Sequence, residues 1–179
     1  MKRIILAGYG GQGMLFCGQV LSLAAMKDGF YVTWLPSYGP EMRGGAASCA
    51  VMVAEKPIGS PVVKFAGLAA VMSQPACDKY HAAVAQGGVL LYNSAIVTPG
   101  ARRDDIRYIG IDFSRLAGEL GNPKVLSTLV LGSLNELLKC VSEPALLLAL
   151  EEKFTEKGTA LLELNKRAVA LGANAAKGL

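Results

Sequence analysis

Residues 3–13 read Arg3-Ile4-Ile5-Leu6-Ala7-Gly8-Tyr9-Gly10-Gly11-Gln12-Gly13, a short apolar run that breaks into a cluster of glycines. The run has the profile of a buried strand. From Gln12 to about Lys27, Leu15, Phe16, Val20, Leu23 and Ala24 recur at helical spacing, and Gly29 supplies a stop signal. Residues 30–35 (Phe-Tyr-Val-Thr-Trp-Leu) are mostly β-branched or aromatic, which suits a second strand. Strand, glycine turn, helix and strand in that order make a βαβ unit, whose crossover is almost always right-handed. That unit sets the fold class as α/β.

On its C-terminal side, a Pro- and Gly-dense loop over 36–45 precedes a strand over 47–53. A turn carrying Pro57, Gly59 and Pro61 precedes another strand over 67–72. Pro75 opens a helix to about Ala85, because proline is tolerated in a first helical turn. Residues 88–92 and 107–111 are further strands, while 124–140, about 144–154 and 159–171 have helical period. The expected architecture is a Rossmann-like three-layer domain: a mostly parallel sheet with helices on both faces and a helical C-terminal third. No repeat, low-complexity tract or linker divides residues 1–179, so a single domain is expected.

Of the 179 residues, 52% are hydrophobic and 18% charged, against about 25% charged in an average soluble domain. That balance excludes a disordered chain. A net charge of +4, scattered along the sequence, gives no nucleic-acid surface. No apolar run approaches the ~20 residues of a bilayer span. The run after Met1-Lys2-Arg3 stops at Gly8, too soon for a signal peptide, so a cytoplasmic protein is expected. Cys17, Cys49, Cys77 and Cys140 lie far apart with no C-x-x-C pair. Neither a disulfide framework nor a zinc or iron–sulfur site is expected of this chain. Its apolar excess, with 21 glycines, fits either a permanent interface with another subunit or an interior rich in Ala and Gly.

Two segments carry the candidate chemistry. The first, Gly8 to Gly13, matches G-x-G-x-x-G between a strand and a helix. Glycines there permit positive φ and let backbone N–H groups meet an anion at the positive helix end. A dinucleotide site also needs an acid at the tip of the second strand for the ribose. Here that strand runs into Pro36-Ser37-Tyr38, with Asp28 before it and Glu41 past it, so nicotinamide dinucleotide binding is not expected. The turn is then either an anion site or simply a tight βα connection. The second segment is Pro36-Ser37-Tyr38-Gly39-Pro40-Glu41-Met42-Arg43-Gly44-Gly45. Prolines that fix φ beside glycines that free it make a loop of specified shape. It leaves the carboxyl end of the second strand, where open α/β sheets bind ligands. Arg43 suits a phosphate or carboxylate, and Glu41 with Arg43 suits an ion pair across a subunit boundary or an exposed one of little energy.

Together these two segments closely resemble the gamma subunit of 2-oxoacid:ferredoxin oxidoreductases, the pyruvate/ketoisovalerate oxidoreductase gamma domain, and the resemblance covers essentially the whole chain. Ile58-Gly59-Ser60-Pro61-Val62 resembles the family's short link after its third strand. Gly121-Asn122-Pro123, leading to Leu131-Gly132-Ser133-Leu134, resembles its later helical segment. Family members often carry an asparagine early in that helix, where this chain reads Val125-Leu126-Ser127-Thr128.

The resemblance implies a multi-subunit complex that decarboxylates a 2-oxoacid on thiamine diphosphate with Mg. Electrons then pass through iron–sulfur clusters to ferredoxin, and coenzyme A takes the acyl group. Alpha and beta subunits are implied to hold the thiamine site, with the clusters in beta or in a small ferredoxin-like delta subunit. The gamma domain is implied to pack against alpha, to bind coenzyme A and to support assembly, with no catalytic side chain of its own. Gly8, Gly10, Gly11, Gln12, Gly13, Tyr38, Glu41, Arg43 and Gly44 are the contact residues it implies here. Tyr38-Gly39-Pro40-Glu41 resembles the 2-oxoglutarate or branched-chain type more than the pyruvate type. Two other readings stay open: a structural assembly subunit that binds nothing, and a free-standing nucleotide-binding oxidoreductase.

Other residues offer less. His81, the only histidine, reads as a helix-surface residue rather than a base. Arg102-Arg103 beside Asp104-Asp105 reads as a solvated loop. Ser127 and Thr128 have no histidine-and-acid arrangement nearby for nucleophilic catalysis.

Overall fold

The structure, a computed structural model, describes residues 1–38 and 45–179 apart from the Lys157 side chain. Among these residues, one sheet holds β1 (Lys2–Tyr9), β2 (Tyr31–Tyr38), β3 (Ala46–Ala54), β4 (Ala66–Val71), β5 (Val84–Asn93) and β6 (Arg107–Ile111). The helices are α1 (Met14–Lys27), α2 (Gln74–Tyr80), α3 (Phe113–Glu119), α4 (Leu126–Leu138), α5 (Glu143–Phe154) and α6 (Thr159–Ala176).

The strand order is β2-β3-β1-β4-β5-β6. Neighbours from β1 to β6 pair in parallel, and β3 runs antiparallel to both β1 and β2. So β1 and β2 are parallel, as the βαβ reading requires, but they are not neighbours. Chain length explains the split. A parallel crossover takes a dozen or more residues. Only residues 39–45 separate β2 from β3, so β3 must return antiparallel alongside β2.

Side chains alternate across the sheet. Ile4 and Leu6 of β1 face a layer built from α1, α3, α4, α5 and α6, together with Val51, Leu68, Leu91 and Ile109. Ile5 and Ala7 face the other way, with Ala69, Val71 and Leu90, under α2. Helices therefore cover both faces, unequally. Burial on both faces is why β1 reads as an unbroken apolar run rather than an alternating one.

Four local expectations are corrected. The helix from Pro75 stops at Tyr80 and passes into a 3-10 turn at His81–Ala83. β5 begins at Val84 rather than 88, because Gly87 (φ 73°) admits a bulge. The bulge shifts the register from Ala66↔Val84 to Leu68↔Val89 and hides the strand's first residues from a periodicity reading. The sequence reading left α3 out; it is only seven residues long, started by an Asp112 side chain that accepts from the Arg115 N–H at 2.8 Å. Arg103 is not simply solvated: its guanidinium donates to the carbonyls of Val84 (2.9 Å) and His81 (3.2 Å) and pairs with Asp105.

The packing that positions the site is between α4 and α6. A Cβ on Gly132 would lie 2.8 Å from the Val169 carbonyl carbon, and one on Gly172 2.8 Å from that of Leu129. The two backbones therefore touch, and the Ser133 hydroxyl donates to the Gly172 carbonyl at 2.7 Å. This fixes where α4 begins, beside the glycine turn.

Candidate functional site

Gly11 (φ 99°) and Gly13 (φ 76°) occupy the left-handed region that favours glycine, and they turn the chain from β1 into α1. Gln12 holds this turn shut. Its Oε1 accepts from the Tyr9 N–H at 2.6 Å, and its Nε2 donates to the Met72 carbonyl at 2.8 Å. A Cβ on Gly8 would collide with that same Oε1. Gly8 and Gln12 thus brace the turn against the end of β4, and the Gln12 amide is occupied internally.

On the opposite side, the Gly10 N–H donates to the Gly45 carbonyl at 2.8 Å. The two segments singled out in the sequence are therefore joined, the glycine turn to the far end of Pro36–Gly45. Tyr38 stands 63% exposed at the end of β2. Glu41, Arg43 and Gly44 lie outside the described residues.

Gly13 caps α1 without a side-chain hydrogen bond, and the first turn of α1 carries no acid. Among the described residues, the N–H groups of Gly11, Gly13 and Met14 find no acceptor. A helix start of this kind is the positive end of the helix dipole.

Three clefts meet at the turn. One of about 500 Å³ is lined by Tyr9, Gly11, Phe16, Tyr38 and Ala46. A second, about 420 Å³, runs beneath Tyr38 towards α2, past Ser48, Lys79 and Tyr80. There the Ser48 and Tyr80 hydroxyls sit 2.8 Å apart, with the Lys79 ammonium 5.1 Å from the Tyr80 ring centre. The third, about 450 Å³, lies between α1 and α4 and is lined by Asn122, Lys124, Ser127 and Phe154. No described carboxylate lines any of them, and their charged lining residues are Lys79 and Lys124.

The cysteines stand apart from this chemistry. Burial raises the Cys17 thiol well above its usual range and raises Cys49 to about 12. Burial also raises Cys140, to about 11, and Cys77. Each keeps its proton at neutral pH, as a small apolar residue does. Among the described residues, no group of three His, Cys, Asp or Glu could hold a metal. His81 lies at the other end of the sheet, where its Nε2 meets the Tyr108 hydroxyl at the start of β5 and β6.

The sequence reading did not include Asn122, Lys124, Ser127, Lys79 or Tyr80 among the site residues. The Gly121-Asn122-Pro123 signal marked the entry to α4, but only the packed structure brings that helix start against Gly13.

Comparison with known proteins fits this geometry. The pyruvate ferredoxin/flavodoxin oxidoreductase family model matches residues 3–175. The 2-oxoglutarate synthase subunit KorC of Methanocaldococcus jannaschii is 35% identical, over 99% of this chain and 95% of its own. The ketoisovalerate oxidoreductase subunit VorA of Methanothermobacter marburgensis is 32% identical over 98% of this chain, which spans only 36% of that longer relative. The crystal structure of a keto/oxoacid ferredoxin oxidoreductase gamma subunit from Geobacter sulfurreducens superimposes with a TM-score of 0.84 at 30% identity, covering 100% of both chains. By the family model over residues 3–175 and the KorC match over nearly the full length of both chains, the chain belongs to the pyruvate ferredoxin/flavodoxin oxidoreductase family.

Proposed function

We propose that this chain is the gamma-type subunit of a cytoplasmic, multi-subunit 2-oxoacid:ferredoxin oxidoreductase, and that 2-oxoglutarate is its 2-oxoacid. In that reaction a 2-oxoacid and coenzyme A give an acyl-CoA, carbon dioxide and a proton, and ferredoxin removes the electrons. Thiamine diphosphate with Mg and the iron–sulfur clusters belong to alpha, beta and delta partners. This chain's share is to bind coenzyme A and to support assembly. The observation that carries the reading is the Gly10–Gly45 hydrogen bond, which sets both motifs around clefts lined by no described acid at the ligand edge of the sheet. Binding energy from the coenzyme handle then positions its thiol without any catalytic side chain here. The KorC match over nearly the full length of both chains favours 2-oxoglutarate.

Assembly draws on the less covered face of the sheet. Leu35 pairs with Ala50, and Ala50 with Ile5, so Leu35 shares the α2 face. Leu35 (42% exposed), Tyr31 (50%), Val62 (61%) and Phe65 (59%) leave apolar surface there, with Arg3 and Lys64 beside Val62 and Phe65. Such surface favours a permanent partner.

The test is affinity purification of the tagged chain from its native host without air. Recovery with larger subunits carrying iron, sulfide and thiamine diphosphate, and coenzyme A-dependent electron transfer fastest with 2-oxoglutarate, is the expected result. Faster turnover of branched-chain 2-oxoacids or pyruvate overturns the substrate; a chain that emerges alone overturns the subunit reading. In the complex, Arg43→Ala is expected to raise the KM for coenzyme A by about tenfold, the loss of one charge-assisted contact. Unchanged coenzyme A kinetics with unchanged assembly removes Arg43 from the site.

A further inference from the structure

Between α2 and the β2–β3 pair, the sheet surface is made of small residues. Ala7, Gly8, Ala46 and Ala47 line the cleft of about 420 Å³ from the strands, and Pro75, Ala76, Lys79 and Tyr80 line it from α2. Positions 75, 76, 79 and 80 share one helix face. Helical side chains lean towards the N-terminus of their helix, so Tyr80, the last residue of α2, reaches back towards the ligand edge where α2 begins. Its hydroxyl meets that of Ser48 at 2.8 Å. Among the described residues, no other hydrogen bond joins α2 to β2 or β3.

Ser48 is 7% exposed and pairs with Ser37 in the β2–β3 register. Its hydroxyl donates to the Ser37 carbonyl at 3.4 Å. That spends the one Ser48 proton, so the Tyr80 hydroxyl is the donor to Ser48 Oγ. The bonds run in one direction, from Tyr80 through Ser48 to Ser37. The Ser37 carbonyl belongs to the same planar peptide group as the Tyr38 N–H, so holding one aims the other. At its other end, α2 follows Met72, whose carbonyl Gln12 ties to the glycine turn. The helix is therefore fastened to both segments of the site.

We propose that Tyr80 is a positioning residue: through Ser48 it latches the start of the Pro36–Gly45 segment to α2 and sets where Tyr38 stands over the cleft. It acts through Ser48 and Ser37 rather than by touching a ligand. A segment held in place before binding has less freedom to lose, so the latch shows in affinity and not in the chemical step. The effect on coenzyme A rests on the coenzyme reading above; the latch rests on the hydrogen bonds.

The test pairs amide exchange in the 15N-labelled full-length chain with coenzyme A kinetics of the purified complex. Tyr80→Phe keeps the ring and removes the donor. It is expected to speed exchange of the Tyr38 and Ala47 amides, the last β2–β3 pair, about fivefold. In the complex it is expected to raise the KM for coenzyme A by about the same factor, with kcat and the KM for 2-oxoglutarate unchanged. Ser48→Ala is expected to match it, and Ser48→Thr to restore the parent values. The double variant Tyr80→Phe, Ser48→Ala is expected to do no more than either change alone. Tyr108→Phe removes a bonded tyrosine hydroxyl at the far end of the sheet and is expected to leave both readouts unchanged. Faster exchange with an unchanged coenzyme A KM would keep the latch and remove the coenzyme reading. A raised KM with exchange unchanged would make Tyr80 a ligand contact and overturn the latch. Lower urea stability with neither readout moved would leave Tyr80 a structural residue and overturn it as well.

Discussion

The Gly10 N–H donates to the Gly45 carbonyl at 2.8 Å, one step beyond the last registered pair of β1 and β3, Tyr9 with Ala46. The bond continues the antiparallel ladder into the two loops that flank the ligand edge. Their relative position is therefore set by backbone pairing rather than by side chains that relax independently. On the other flank, Gln12 ties the same turn to Met72 at the end of β4. The glycine turn is held from both sides before any ligand arrives, which lowers the ordering cost of binding.

Gln12 is expected to matter to stability more than to ligand contact. Gln12→Ala leaves the Tyr9 N–H and the Met72 carbonyl without their partner and is expected to cost about 1–3 kcal/mol. Gln12→Glu restores the acceptor for Tyr9 but offers Met72 a carboxylate oxygen, so it should also fall below the parent chain. Urea unfolding at constant m-value measures both. A parental midpoint for Gln12→Ala would show that the turn holds without its brace.

The glycine turn, the flanking strand and helix and the resemblance they carry were legible in sequence because each rests on local signals: an apolar run, helical spacing, glycine at positive φ. The position of β3 between β1 and β2 was not read, although it follows from the few residues that separate it from β2. Gly87 hid the start of β5 by breaking the alternation on which strand reading depends. The Ser127 cleft was out of reach for a different reason. It exists only because α4 and α6 pack backbone to backbone and bring residue 127 against residue 13, a contact between distant segments that no local pattern encodes.

That helix packing gives a pair of glycines with opposite expected responses to the same substitution. Gly172→Ala drives a methyl into the Leu129 backbone and is expected to destabilise by about 1–3 kcal/mol or more. Gly118, inside α3, has nothing within 4 Å of an added Cβ. Gly118→Ala therefore adds helix propensity without a clash and is expected to stabilise by about 0.5–1 kcal/mol. Urea unfolding of the two variants in parallel decides it; equal signs would contradict the close approach of α4 and α6.

Arg103 and Asp105 are expected to produce an acid-sensitive clamp at the far end of the sheet. The Arg103 Nε and Nη2 donate to the two Asp105 oxygens at 2.9 and 2.7 Å. The hydrogen bond to Arg103, opposed by desolvation and aided by its charge, holds the Asp105 carboxyl below the usual carboxylate range. A lowered native pKa means that its contribution is complete above about pH 4, the unfolded value, and disappears as pH falls through the lower native one. Asp105→Asn should therefore be less stable than the parent at pH 7 and equal to it near pH 2, by urea unfolding at each pH. A penalty that does not change with pH would mean that Asp105 acts by packing alone.

The four thiols give the alkaline counterpart, with the sign reversed. All four are buried, and burial raises each above its ordinary range: Cys49 to about 12, Cys140 to about 11, and Cys17 and Cys77 upward as well. In the unfolded chain they ionise near pH 8.5. An acid whose native pKa is raised favours the native state fully below the unfolded value, and that advantage is lost as pH rises from there towards the native one. Stability is thus expected to fall between pH 8.5 and about 9.5, before tyrosine and lysine titrate. Over the same range a chromogenic disulfide reagent should leave the native chain almost unmodified, because only the thiolate attacks and little of it forms. In urea the reagent should count four thiols at once. Rapid modification of the native chain at pH 8 would place at least one cysteine in contact with solvent as a thiolate, and the apolar role assigned to Cys17 and Cys49 beneath the α1 helix would fall with it.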